Sequence, residues 1–183
     1  MTPRRALTVR QPWADLIMAG VKPVENRTRP VPSTLPQWCS ECGMFPCRGS
    51  CGECAWTPFP FRLWIHAGLR LDRAALAVHL EDARAIHGRF GSCGVDALAD
   101  TMTYGALLGT VEVTGCHHAD ECHDPDGMHD TITGPQYHPE AWCSRWAEPD
   151  RWHWTLTDPR PLDTPVPATG RQGLWRIPEE VAA

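Results

Sequence analysis

The hydrophobic pattern changes period several times along the chain. "ALTVR" (Ala6–Arg10) alternates apolar and polar positions and reads as a strand. The next stretch, "QPWADLIMAG", shifts to helical spacing. Pro12 suits a first helical position, Trp13, Leu16 and Ile17 share one face, and Gly20 can close the helix. "PVENRTR" follows as a second short strand. This order puts Lys22 at a helix-to-strand junction and sets Glu25 and Arg27 on one face of the strand. "FRLWIHAG" (Phe61–Gly68) reads as a strand. From Leu71 to about Arg89, Leu76, Leu80, Ala83 and Ile86 recur at the spacing of one long amphipathic helix. "YGALLGTVEVTGC" (Tyr104–Cys116) is a long β pattern with Gly105 and Gly109 as bend or bulge points. The end, "WHWTLTDPRPLDTPVPATGRQGLWRIP", predicts two or three strands linked by turns at Asp158–Pro159 and Gly170.

Two segments lack any period, about 30–60 and about 117–150, and are read as insertions. The order of elements predicts an α+β protein, a small closed or partly closed β-barrel with flanking helices, as a single domain over residues 1–183.

Composition narrows the class. A chain of 183 residues with 42% apolar content and nine tryptophans can bury a real core. No apolar run approaches the roughly 20 residues of a membrane span, and the basic N-terminus lacks an apolar stretch like that of a signal peptide, so the expectation is a cytoplasmic protein without a membrane partner. In a reducing compartment nine cysteines are metal ligands or buried thiols before they are disulfides. The net charge of −5 is unevenly spread. Residues 1–30 carry six basic side chains against two carboxylates, and residues 116–150 carry eight carboxylates against Arg145. Such a chain does not coat nucleic acid indiscriminately. It can present one basic face, although ordinary variation in surface charge explains the split equally well.

The strongest chemical motif is "CSECGMFPCRGSCGEC". Cys39–Cys42 and Cys51–Cys54 are paired C-x2-C hooks, the pattern of tetrahedral structural zinc. Cys47 is an alternative ligand, and the ligand set alone also admits an iron–sulfur cluster. Four thiolates leave no open position, so zinc-bound hydroxide is not the chemistry expected here. A second dense stretch, "CHHADECHDPDGMHD", offers Cys116, His117, His118, Cys122, His123 and His129. Its spacing matches no metal motif, and it is read as an Asp-rich loop with solvated histidines. His66 and His153 lie within strand patterns and are expected to be packed and hydrogen-bonded.

The run Ala6–Arg29, then "LWIHAG", "YGALLGTVEVTG", "WHWTLTDPRPL" and "GRQGLWRIP", resembles an ASCH domain of the PUA-like superfamily. The G-x-K-x-x-E-x-R signature is matched at Gly20, Lys22, Glu25 and Arg27, preceded by Gln11–Ala14. The resemblance implies a pseudobarrel with a cleft lined by these residues and a role with RNA or DNA, often with a modified or extruded base. Members of the family include nucleic-acid binders, nucleases and amidohydrolases of N4-acetylcytidine. In those amidohydrolases a threonine accompanies the lysine; here Glu25 stands at that position.

Lys22 is the only lysine among seventeen basic residues. Its ammonium is a compact three-donor charge, and unlike guanidinium it can give up a proton when desolvated. The expectation is a module that recognises RNA, DNA or a nucleotide, with Arg10, Gln11, Trp13, Lys22, Glu25 and Arg27 facing the ligand. One alternative is a nucleobase amidohydrolase or ribonuclease using Lys22 and Glu25 catalytically. A second is a zinc-stapled protein-interaction domain.

Overall fold

The computed structural model describes residues 5–31, 59–88, 93–122 and 143–178. The fold is α+β. Six strands, β1 (Arg5–Gln11), β2 (Val24–Arg27), β3 (Phe61–Leu71), β4 (Ala106–His118), β5 (Trp152–Pro167) and β6 (Leu174–Arg176), form one mixed sheet. Their order is β2-β5-β4-β3-β1-β6. β1 runs parallel to β3 and antiparallel to β6, while β3–β4 and β2–β5 are antiparallel. The sheet is open among the described residues. Its edges, β2 and β6, are four and three residues long and do not pair with each other, so the described strands do not close into a barrel. No helix among the described residues is long and apolar enough to cross a membrane.

The chain divides into two compact units. The first comprises Met1–Pro23, Pro60–Val113 and Leu156–Ala183, and the second Val24–Phe59 and Thr114–Thr155. Most of both irregular segments therefore belongs to the second unit.

Within the first unit, β1 places Ala6, Leu7 and Val9 in the core, and α1 (Trp13–Met18) adds Ala14, Leu16 and Ile17. Full burial of Leu16 or Ile17 is worth about 1.5–3 kcal/mol each. Pro12 caps α1 rather than opening it, and the Gln11–Pro12 peptide bond is cis. Gly20, at φ +74°, ends the helix in the left-handed conformation that glycine adopts without a Cβ penalty.

The long helix predicted from Leu71 to Arg89 is broken in two, α2 (Arg73–Val78) and α3 (Leu80–Ile86). Asp72 starts α2 by accepting from the Ala75 N–H. His79 leaves helical geometry at the break and packs its ring 5.3 Å from that of Trp13. The helical spacing of Leu76, Leu80 and Ala83 survives because both pieces pack on one small core with Leu98, Ala99 and Met102. Leu98 and Ala99 belong to α4 (Val95–Ala99), a helix that the apolar pattern does not announce.

Asp158–Pro159 is also not a turn. β5 continues through it, with Asp158 at φ +45° and Arg62 bonded to its carbonyl and its carboxylate. Cross-strand hydrogen bonds outweigh the local turn propensity.

The predicted irregularity at Gly109 is present. Ile65 pairs with Gly109 and His66 with Leu107, leaving Leu108 as the extra residue of a bulge. Gly109 has φ +156°, and a Cβ there would sit 2.6 Å from the Met18 methyl and 2.7 Å from Pro161 Cα. Gly109→Ala is therefore expected to destabilise the protein by about 1–3 kcal/mol, read as a lower denaturation midpoint. A midpoint within error of wild type would show that the bulge relaxes freely.

Candidate functional site

Lys22 follows directly from how α1 ends. The Leu16 carbonyl accepts from the N–H groups of both Val21 and Lys22, at 3.0 Å each, so the chain folds back over the helix. Lys22 is left 3% exposed, with its ammonium 5.4 Å from the centre of the Trp13 ring. A buried ammonium requires compensation, and an aromatic face supplies part of it.

Lys22 also lines a pocket of about 210 Å³ in the first unit. Ile17, Val111 and Leu156 give it apolar walls, Pro23 and Pro159 add flat ones, and Asp158 contributes a carboxylate. Arg160 and Arg62 hold that carboxyl below its usual range through hydrogen bonds and charge. Asp158, Thr157 and Pro159 are pocket residues that sequence reading missed, because a local Asp–Pro pattern looks like a turn.

The other predicted cleft residues are placed as follows. Trp13 meets Lys22 as above. Glu25 is 7% exposed and pairs with Arg27 at 3.4 Å, within the second unit and on the shared strand face the pattern requires. Arg10 is exposed. Gln11 is fully buried and its amide is engaged inside the protein. Nε2 donates to Asp15 Oδ1 (2.7 Å) and the Thr103 carbonyl (2.8 Å), and Oε1 accepts from the Asp15 N–H. Trp154 and Trp175 are core residues.

The paired hooks Cys39–Cys42 and Cys51–Cys54, with Cys47, lie outside the described residues, as do His123 and His129. The second unit does show a metal-competent group, which corrects the loop reading of the His-rich stretch. His117, Cys122, Cys143 and His153 bring one ligand atom each to within 4.8 Å of one another. Strand alternation explains the selection. His117 turns to the cluster, while Cys116 accepts from the Val31 N–H and His118 packs on Trp152. Burial, then the neighbouring His153, pushes the His117 pKa down, and burial with the adjacent Cys122 pushes the Cys143 thiol up to about 12. His66 and His153 are both packed and hydrogen-bonded, to the carbonyls of Ala168 and Glu148, as their strand positions suggest. Two of the four candidate ligands were invisible in the spacing, since Cys143 and His153 stand twenty-one or more positions beyond Cys122.

Gln11→Leu removes three internal hydrogen bonds and leaves the Thr103 carbonyl without its amide donor. Such a loss costs about 1–3 kcal/mol per stranded buried group, so the melting temperature should fall clearly; an unchanged value would mean that water replaces the amide. No protein-family model matches this chain, and no curated protein matches it.

Proposed function

We propose that this chain is a nucleobase-recognition module, of the ASCH and PUA-like kind, that binds RNA, DNA or a nucleoside through the Lys22 pocket. The observation that carries the reading is a buried lysine on the wall of a pocket of about 210 Å³. That volume is below the roughly 300 Å³ at which pockets for larger organic ligands begin. It suits a single base taken out of a stack rather than a whole nucleotide. Apolar walls and proline faces accept the plane of a base, as sites for flipped bases do. Lys22 donates to a base carbonyl, and the Asp158 carboxylate accepts from an exocyclic amine. Cytosine and guanine present both groups.

In this reading the Cys39, Cys42, Cys51 and Cys54 hooks hold a structural zinc in the segment that follows β2. In the first unit the exposed Arg10 is the side chain that would meet the phosphate backbone.

The test is binding of short RNA and DNA oligomers and of the four common nucleosides with a panel of modified ones, monitored by calorimetry and by mass spectrometry of the recovered ligands. Lys22→Ala should weaken binding about 10–100-fold, the value of a charge-assisted hydrogen bond, and Lys22→Arg should retain much of the affinity. Equal affinity of wild type and Lys22→Ala would remove the pocket from the mechanism. A product of new mass that disappears in both variants would make the protein a hydrolase using Lys22.

A further inference from the structure

We propose that His117, Cys122, Cys143 and His153 hold a structural zinc ion, distinct from any metal on the Cys39–Cys54 hooks, and that this ion braces the strand carrying Glu25 and Arg27. The four ligands come from the end of β4, from the residue closing the short 3-10 turn Ala119–Glu121, from a turn before β5, and from β5 itself. Bond lengths of about 2.0–2.3 Å in a tetrahedral site place ligand atoms about 3.3–3.8 Å apart. Cys143 Sγ and His153 Nδ1 already stand at 3.6 Å.

The hydrogen bonds around the cluster are those of a metal site. His153 Nε2 lies 2.8 Å from the Glu148 carbonyl. A carbonyl only accepts, so the proton sits on Nε2 and the Nδ1 lone pair is left facing the cysteines. The Cys143 backbone N–H donates to Cys122 Sγ at 2.8 Å and so fixes the position of that sulfur beside the others. His117 Nε2 is buried and has no hydrogen-bond partner among the described residues. With the ring proton on Nδ1, that nitrogen carries a lone pair, and a metal cation is a partner for it.

The donor set selects the ion. Two thiolates and two neutral imidazoles around Zn2+ leave a neutral unit, which a site containing the buried Cys122 and His153 tolerates. Soft sulfur with imidazole in tetrahedral array is zinc chemistry, and four protein ligands leave no position for water. A two-iron cluster would hold its ligand pairs on separate irons, farther apart than this group allows.

The bracing runs through Glu148. Its carbonyl accepts from His153 Nε2–H, and its N–H donates to Asn26 Oδ1 at 3.2 Å, while Asn26 Nδ2 donates to the Trp146 carbonyl at 2.7 Å. Asn26 also faces His153 in the β2–β5 register and lies between Glu25 and Arg27. Losing the ion frees His153, then the Glu148 turn, then β2.

The full-length chain, purified under reducing conditions, tests this without any nucleic acid, so the result is independent of the Lys22 reading. Zinc X-ray absorption of wild type should show imidazole nitrogen at about 2.0–2.1 Å beside sulfur at about 2.3 Å. Cys122→Ser with Cys143→Ser should lose one equivalent of zinc per chain whether or not the hooks are loaded, and His117→Cys should keep it. Hydrogen exchange at the β2 amides should rise in the double variant. Absence of zinc, an all-sulfur shell, or unchanged zinc content in the double variant would overturn the site; unchanged exchange in β2 would overturn the bracing. Should the double variant not fold, the wild-type shell and the zinc content of His117→Cys decide.

Discussion

A single buried amide holds the N-terminal part of the first unit in register. Gln11 ends β1, and its side chain ties the first turn of α1 to the Thr103 carbonyl, while its own carbonyl accepts from the Asp72 N–H at 2.7 Å. Asp15, the residue that Gln11 grips, is in turn held by His87 at the end of α3. A polar group taken out of water must be satisfied completely or it costs more than it gives. Gln11 is satisfied by elements from three parts of the chain, so their mutual placement is specified rather than merely favoured. The position of α1 then fixes where its end folds back and where Lys22 is buried.

The same constraint organises the second unit with different chemistry. Here the polar groups are imidazoles and thiols: His153 is tied through Glu148 to Asn26, and four candidate ligand atoms lie within 4.8 Å of one another. Where Gln11 is satisfied by protein atoms alone, His117 Nε2 has no hydrogen-bond partner among the described residues. On the zinc proposal, that nitrogen is one of the four atoms the ion would take up.

The apolar pattern carried most of the strands. The stretches at Ala6–Arg10, Phe61–Gly68 and Tyr104–Cys116 became strands within a few residues of their expected ends, and of the two glycines read as bend or bulge points Gly109 lies at the bulge. Local pattern failed where a distant residue intervened. The helix between Leu71 and Arg89 breaks at His79, whose ring packs against Trp13, sixty-six positions earlier. The Asp158–Pro159 turn became part of a strand because Arg62 and Arg160 grip Asp158 from outside its own dipeptide. Gln11 was legible as an important residue, but its role as an internal clamp was not.

The sequence by itself determined the α+β class, the junction position of Lys22, and the placing of Glu25 and Arg27 on one face, because these depend on periods of 2 and 3.6 residues and on neighbours a few positions away. Only the tertiary structure decided that the sheet stays open, that Lys22 lines a pocket with Asp158, and that His117 and Cys122 meet Cys143 and His153. Those outcomes turn on pairings between segments far apart in the chain. Sequence spacing carries no information about such distances until the backbone hydrogen bonds of the sheet have set them.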